Sequence, residues 1–267
     1  MAYNKFEHFQ LERKLANELR ATTPEQRKTM YGKVYNVLFS TFPELAHNLD
    51  STEDDRIGWQ LKLAKRLYDK NKIFMEIGAG DCILSKALAP HFKKIVAYEV
   101  AESIPFIEGK PDNFELKIFN GVDMHEQPGA VDIIYSNQVF EHLHIDDTEP
   151  LLKAYHTYLT PNGTLVIITP HRLTGPHDIS RDFTKEAEGF HMKEYNYKEM
   201  RDLLEANGFT KIKAYIGYSK WGYFSVNMSF LIFLENTCKR FKFLRKRMKT
   251  SSMAFNLFGM KIMATKK

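Results

Sequence analysis

The sequence predicts an α/β protein organised around a doubly wound sheet with helices on both faces. From residue 72 onward, short apolar runs alternate with helical segments, a pattern typical of parallel strands joined by right-handed crossovers. The first apolar run ends in a glycine-containing bend, at the place where open sheets of this kind bind ligands. With 267 residues, 43% of them hydrophobic, the chain is long enough to bury one sizeable core with attached segments.

Residues 1–70 are predicted to form a helical cap. Leu11, Leu15 and Leu19 recur every four residues among charged side chains, as expected on one face of a helix. Thr23-Pro24 is typical of an N-cap followed by proline at the first helical position. The cap either packs on the main domain, borders the substrate site as a lid, or forms the surface of a homodimer. We favour a cap that also borders the substrate site.

The elements of the sheet domain follow in order along the chain. Strands are predicted at residues 72–77, 94–99, 115–119, 131–136, 164–169, 209–217 and 256–265. Helices are predicted at residues 57–68 in the cap and at 81–89, 148–159 and 198–207 between the strands. This gives a seven-stranded domain comprising residues 71–218 and 255–267, with residues 219–254 as a helical insertion before the last strand.

Composition excludes several classes of protein. The two cysteines, Cys82 and Cys238, are far apart in the chain, which argues against a disulfide scaffold or a zinc finger and fits a reducing cytoplasm. No apolar run reaches the ~20 residues of a membrane-spanning helix, and no signal peptide is visible. The net charge of +5 is concentrated in residues 239–249. The chain therefore lacks the broad basic face of a nucleic-acid-binding protein.

The strongest motif is the segment Glu76–Asp81, E-I-G-A-G-D. Its glycines let a ligand approach the backbone closely at the end of the first strand. Glu99, at the end of the second strand, can accept both hydroxyls of a ribose, although a solvated strand end gives the same pattern. A dinucleotide is disfavoured because Ile83 replaces the third glycine of G-x-G-x-x-G and Asp81 would face a pyrophosphate.

This segment resembles the first motif of class I S-adenosylmethionine (SAM)-dependent methyltransferases, E/D-x-G-x-G-x-G, with Cys82 in place of the last glycine. The resemblance extends over residues 70–217 and the last strand, and it implies a Rossmann-like fold with SAM as cofactor. SAM carries a sulfonium and an ammonium but no phosphate, so carboxylates near the bend suit it. For Asn120, a role in a turn is an equal alternative to contact with the adenine edge. The cofactor-binding residues are predicted to be Glu76, Gly78, Ala79, Gly80, Glu99, Val100, Asn120, Gly121, Val122, Ser136 and Asn137.

The loop after the fourth strand contains the first candidates for catalysis. Glu141-His142 resembles the E-H-hydrophobic motif of ubiquinone-type O-methyltransferases. Some of these carry E-x-x-E-H and use a divalent cation, but Gln138 replaces the first acid here, and we predict no metal. Methylation of a hydroxyl needs a base, a role that suits histidine. The catalytic candidates are His142, His144 and His177, with Asp178 orienting an imidazole.

The long loop after the fifth strand is predicted to bind the acceptor, because long loops inside compact domains are usually functional. Its strings H-R-L-x-G-P-H-D-I-S-R and G-F-H-x-K-E-Y resemble bacterial methyltransferases associated with glycans and polysaccharides. Arg172 and Arg181 either clamp an anionic acceptor or make ordinary surface pairs. The residues predicted to bind the acceptor are Glu141, His171, Arg172, Arg181 and His191.

The insertion has an aromatic, apolar part at residues 221–234 followed by the basic cluster. Segment 221–249 either contacts an anionic membrane surface or packs on the core or on a second subunit. We therefore expect a SAM-dependent O-methyltransferase of sugars or glycan-type acceptors, in the cytoplasm or at the inner face of the membrane. The alternatives are a small-molecule methyltransferase of quinone or natural-product type and a SAM-binding protein without turnover.

Overall fold

The structure, a computed structural model, describes residues 3–45, 53–102, 109–218, 222–240 and 259–267. The helices are α1 (Lys5–Arg20), α2 (Pro24–Thr41), α3 (Glu53–Ala64), α4 (Ile83–Leu88), α5 (Ile145–Tyr158), α6 (Tyr197–Ala206) and α7 (Met228–Arg240). The strands are β1 (Asp69–Ile77), β2 (Phe92–Glu99), β3 (Phe114–Ile118), β4 (Val131–Asn137), β5 (Leu159–Thr169), β6 (Phe209–Tyr218), β7 (Gly222–Val226) and β8 (Met260–Lys266).

The described residues form one sheet with the strand order β3-β2-β1-β4-β5-β8-β6-β7. Strands β1 to β5 pair in parallel, whereas β8 is antiparallel to both β5 and β6. The predicted α/β class is confirmed, but the predicted count of seven strands is wrong. The eighth strand, β7, lies in the segment predicted to be a helical insertion. It pairs antiparallel with the end of β6, and Gly222 at its start has a φ of +82°, which suits a tight reversal.

The sheet divides the core of the domain into two layers. Because side chains alternate across a strand, Phe74 of β1 packs in the layer beneath α3 and α4. Its neighbours Met75 and Ile77 pack in the opposite layer, beneath α5, α6 and α7. The helices therefore cover both faces, as predicted, and the carboxyl ends of the parallel strands form one edge of the domain.

A third apolar cluster joins α1 and α2 to the long loop after β5, which contributes Phe190. A buried ion pair fixes α2 to α5, because Arg27 donates to both carboxylate oxygens of Asp147 at 2.7 and 2.8 Å. Tyr31 donates to the same carboxylate at 2.8 Å. The first two helices thus lie over the carboxyl edge of the sheet. The division of the chain into cap, sheet domain and insertion stays a prediction.

Part of the predicted membrane-contacting segment lies outside the described residues, including Trp221 and the basic residues of 241–249. Its described part contains β7 and α7. In the portion of the chain that the structure describes, none of the helices is both long and apolar enough to cross a bilayer.

Candidate cofactor and acceptor site

The glycine bend after β1 forms the floor of the site. Gly78 and Gly80 have φ values of +69° and +54°, a region that glycine adopts without steric cost. A Cβ at Gly78 would come within 2.6 Å of a methyl group of Val139, so a side chain there would collide with the loop after β4. Cys82, which replaces the last glycine of the motif, also has a positive φ of 61°. The backbone thus keeps the conformation that the missing glycine would favour.

Glu99 lies across this bend and is only 6% exposed. One carboxylate oxygen accepts a hydrogen bond from the backbone of Gly80 at 2.8 Å. The other accepts from Val100 at 2.7 Å and Ala101 at 3.1 Å. A carboxylate has about four acceptor positions, so Glu99 can hold the bend in place and still accept a hydrogen bond from a hydroxyl.

A cavity of about 220 Å³ opens above the bend. The predicted cofactor residues that line it are Gly78, Gly80, Glu99, Val100 and Gly121. Sequence reasoning missed its aromatic wall, which consists of Tyr31, Tyr35 and Phe39 from α2. The sequence does show the apolar face of α2. The spacing of its apolar residues, however, does not indicate whether that face packs on the core or borders a ligand site. Gly121 lies against this wall, because a Cβ there would be 2.8 Å from the Tyr31 ring.

Other predicted cofactor residues support the backbone of the site instead of lining this cavity. Glu76 is buried and accepts a hydrogen bond from Ser85 at 2.5 Å, and burial raises the pKa of its carboxyl to about 8. Asn120 accepts from the backbone of Val122 and Asp123 at 2.9 and 2.7 Å, the geometry of the turn alternative. Ala79 and Val122 pack in apolar clusters, the former in the sheet core and the latter against the cap.

Buried polar atoms collect at the end of β4 and in the loop that follows it. Among the described residues, Ser136 Oγ, Asn137 Oδ1 and Glu141 Oε1 are buried and have no hydrogen-bond partner. Buried polar atoms in folded proteins are nearly always paired. The end of β4 is therefore the place where a polar ligand group would satisfy these atoms.

His142 is the predicted catalytic residue that lines the first cavity. Its Nδ1 lies 3.2 Å from the carbonyl oxygen of Phe190, which can only accept, so Nδ1 carries the proton and Nε2 is the basic nitrogen. Burial lowers the pKa of His142 to about 3. The ring is consequently neutral near physiological pH.

Two acids and a second histidine surround His142. His191 packs against it edge-to-face, with ring centroids 4.8 Å apart, and its Nδ1 lies 2.8 Å from Glu194. Burial alone would lower the pKa of His191, but the hydrogen bond to Glu194 and the charge of Glu141 raise it. Burial raises the pKa of Glu141 to about 7, and its other oxygen accepts from the Thr169 hydroxyl at 2.8 Å. Ligand-type atoms of Glu141, His142 and His191 lie within 4.8 Å of one another.

The remaining catalytic candidates are more dispersed. His144 caps α5, since its ring accepts from the backbone of Asp146 at 3.3 Å. Asp178 accepts from the backbone of Ser180 at 3.0 Å and Gly189 at 2.9 Å. Asp178 therefore braces the long loop, and the acid that contacts the imidazole of His191 is Glu194.

A second cavity, of about 540 Å³, lies where β4, β5 and β6 end and β8 begins. It shares Gln138 with the first cavity. The predicted site residues that line it are His171, His177 and Arg181. Lys261 also lines it and was missed, since a single lysine in a strand pattern gives no signal of a site.

Two further predicted acceptor residues lie outside this cavity, and His171 makes structural hydrogen bonds. Arg172 and His191 border a third cavity that shares no residue with the first, and Arg172 pairs with Glu199 at 3.0 Å. The ring of His171 is fully buried. Its Nδ1 accepts from the backbone of Leu173 at 3.0 Å and its Nε2 lies 3.3 Å from Glu235.

This arrangement defines a Rossmann-like α/β domain that holds a nucleoside cofactor at the carboxyl edge of its sheet. The chain belongs to the methyltransferase domain family, whose model matches residues 54–214. Its cofactor is SAM. The cradle at Gly78, which a side chain would fill, and the acceptor atom of Asn137 fit that cofactor.

One curated protein and two solved structures illustrate what the chain is similar to. A probable S-adenosylmethionine-dependent methyltransferase of Mycolicibacterium smegmatis is 24% identical over 136 residues, 51% of each chain. The chain thus spans about half the length of this curated relative. A SAM-dependent methyltransferase from Archaeoglobus fulgidus has a similar fold, with a TM-score of 0.57, 14% identity and coverage of 85% of this chain and 99% of that chain. Phosphoethanolamine N-methyltransferase 1 of Haemonchus contortus superposes with a TM-score of 0.61 and 14% identity over 92% of this chain and 50% of that chain.

Proposed function

We propose that the protein is an enzyme that transfers the methyl group of SAM to a hydroxyl of a sugar or glycan-type acceptor. The observation that carries this proposal is the meeting of two cavities at Gln138, directly after β4. Methyl transfer requires donor and acceptor to approach in line, within about 3–3.5 Å. A cofactor in the first cavity and an acceptor in the second would meet at this residue. A small-molecule acceptor of quinone or natural-product type is the alternative.

The residues around the first cavity suit the separate parts of SAM. Glu99 would accept a ribose hydroxyl at its remaining acceptor position, and the bend at Gly78 and Gly80 would hold the methionine portion. Asn137 Oδ1, which is buried and unsatisfied among the described residues, would accept a hydrogen bond from the ammonium. SAM supplies a methyl group on a positively charged sulfur.

His142 is proposed as the base that takes the acceptor proton. A hydroxyl that gains a methyl group becomes strongly acidic, so a neutral imidazole of low basicity is sufficient. The proton would pass to Nε2, and the nearby Glu141 would balance the charge of the resulting imidazolium. His177 is the alternative base, because it lines the second cavity, although its Nε2 already contacts Thr174 and the His171 carbonyl at 2.9 and 3.1 Å.

The test is a screen of SAM with nucleotide sugars, free saccharides, phenols and amines, read out as S-adenosylhomocysteine by mass spectrometry. We expect turnover with saccharide hydroxyls and an O-methyl product. His142→Ala should lower kcat about 10²–10⁴-fold and leave the Kd for SAM unchanged. The control is His125→Ala, at an exposed position. Turnover confined to amines, or SAM binding without any turnover, would contradict the proposal in favour of an N-methyltransferase or a non-catalytic binding protein.

A separate proposal concerns contact of segment 221–249 with an anionic membrane. On α7, Phe230 and Phe233 are 54% and 65% exposed, and Phe224 of β7 is 65% exposed. Exposed aromatic side chains next to a basic cluster suit an interfacial helix. Flotation with phosphatidylserine vesicles should capture the parent protein and not Phe230→Ser/Phe233→Ser. Equal partition of both proteins, with a parent dimer in sedimentation that the double variant lacks, would instead identify this face as a homodimer contact.

A further inference from the structure

The second cavity contains two cationic side chains from different parts of the chain. Lys261 is the second residue of β8, and Arg181 lies on the short helical turn Ile179–Asp182. Both line the cavity that meets the cofactor cavity at Gln138. We infer that Lys261 and Arg181 bind an anionic group of the acceptor, a carboxylate or a phosphate. This inference rests on the proposed function, because it names the chemical class of the acceptor.

Lys261 lies in a largely buried position that favours the binding of an anion. It follows the fully buried Met260 and precedes the nearly buried Ile262 in the strand. Its Nζ donates to the carbonyl of Gly259 at 3.3 Å and has no carboxylate partner among the ion pairs of the described residues. Burial lowers the pKa of its ammonium to about 8. Because buried charges are normally paired, a ligand anion would relieve this desolvation.

Arg181 provides the second cation. It is exposed at the rim of the cavity, and its guanidinium takes part in none of the ion pairs found in the described ranges. Arg172 provides a contrast, since it is held by Glu199 and lies outside this cavity. A guanidinium presents a planar fork that matches both carboxylate and phosphate oxygens. Lysine as a point charge and arginine as a fork together suit an oxyanion.

Aromatic rings flank the lysine. The Lys261 ammonium lies 5.8 Å from the ring centroids of both Trp59 in α3 and Tyr223 in β7. Both rings line the cavity. Flat apolar rings beside a charged group suit the C–H face of a sugar whose anionic substituent reaches the ammonium. The acceptor class that fits is therefore an acidic sugar, either a uronate or a sugar phosphate.

The experiment measures binding to the 267-residue chain loaded with S-adenosylhomocysteine, by calorimetry with glucuronate, glucose phosphate and glucose. We expect at least one anionic probe to bind about 10-fold or more tightly than glucose, because hydrogen bonds to a charged group are stronger than those between neutral groups. Lys261→Met, which keeps the aliphatic stem, should abolish that preference. Arg181→Gln should reduce it, and Lys261→Arg should restore part of it.

Arg201→Gln is the matched control and should behave like the parent protein, because Arg201 of α6 pairs with Asp202 at 2.9 Å and lies outside this cavity. Glucose binding as tightly as both anions, or equal effects of Lys261→Met and Arg201→Gln, would overturn the inference. The two anionic probes separate a carboxylate site from a phosphate site. SAM affinity, measured in parallel, shows whether each variant has folded.

If no acceptor is methylated but the anion preference depends on Lys261, the proposed function fails and the anion site stands. If an acceptor is methylated but no preference for an anion is found, the anion site fails and the proposed function stands.

Discussion

Arg27 of α2 and Asp147 of α5 form a buried, two-pronged ion pair, with N–O distances of 2.7 and 2.8 Å. The same carboxylate accepts from Tyr31, whose ring lies against Gly121 in the wall of the cofactor cavity. The pair therefore connects the attachment of the first two helices to the shape of the cofactor site.

Asp147→Asn should destabilise the protein and weaken SAM binding together. Arg27 is 0% exposed, and removing one partner of a buried ion pair costs about 3–5 kcal/mol. Urea unfolding and SAM calorimetry measure the two effects. Asp146→Asn is the control, because Asp146 is 64% exposed and lies 3.7 Å from Arg27. We expect less than about 1 kcal/mol there. Equal behaviour of the two variants would show that the buried pair does not hold the cap.

Gly78→Ala should abolish measurable SAM binding. The new Cβ would lie 2.6 Å from Val139, at a φ of +69°. Gly109→Ala separates the two causes, since Gly109 has a φ of +67° and nothing within 4 Å of an added Cβ. It should bear the same backbone strain of about 1–2 kcal/mol and keep its affinity for SAM. Circular dichroism first confirms that both variants fold, and calorimetry then measures their affinity for SAM. SAM binding by Gly78→Ala at parental affinity would refute the cradle.

Glu76 should make the protein less stable as pH rises. Burial raises its folded pKa to about 8, above the ordinary value of about 4.3 that applies to the unfolded chain. The folded state therefore holds a proton that the unfolded state has lost, and stability falls as pH rises through this window. Glu76→Gln should remove that loss, so its Tm relative to the parent should increase between pH 5 and pH 9.

Glu115→Gln is the control for this experiment. The hydrogen bond to Lys94 lowers the pKa of Glu115, so its contribution to stability is lost only under acidic conditions. The Tm difference of this variant from the parent should therefore stay constant between pH 6 and pH 9. A Glu76→Gln difference that is equally constant would contradict the raised pKa.

Chelation should leave the activity unchanged. Metal ligation requires a neutral imidazole, but the raised pKa of His191 favours its protonated form beside Glu194. Gln138 also occupies the position at which the E-x-x-E-H motif has its first acid. The measurement is methyl transfer after dialysis against EDTA, followed by addition of Mg²⁺, Mn²⁺ or Zn²⁺. Loss of turnover that one of these ions restores would show that Glu141, His142 and His191 form a metal site.

Much of the fold was predictable because its signals are local. Six of the predicted strands and the α4, α5 and α6 segments overlap observed elements closely, since alternation and helical periodicity reflect burial of one face. By contrast, β7 was missed. It is a short edge strand whose exposed Phe224 belongs to an apolar run in the sequence, and it is defined by its antiparallel pairing with the end of β6.

The sequence by itself determined the bend at Gly78 and Gly80 and the position of Glu99 at the end of the next strand. Both can be inferred from neighbouring residues, because glycine's backbone freedom and the order of the strands are local properties of the chain. Only the tertiary structure decided which of His142 and His144 faces a cavity, since both lie in one loop and differ only in the direction of their side chains. It also brought Trp59, Tyr223 and Lys261 together from three distant elements. Contacts of that kind arise from packing across the whole sheet, which no local pattern encodes.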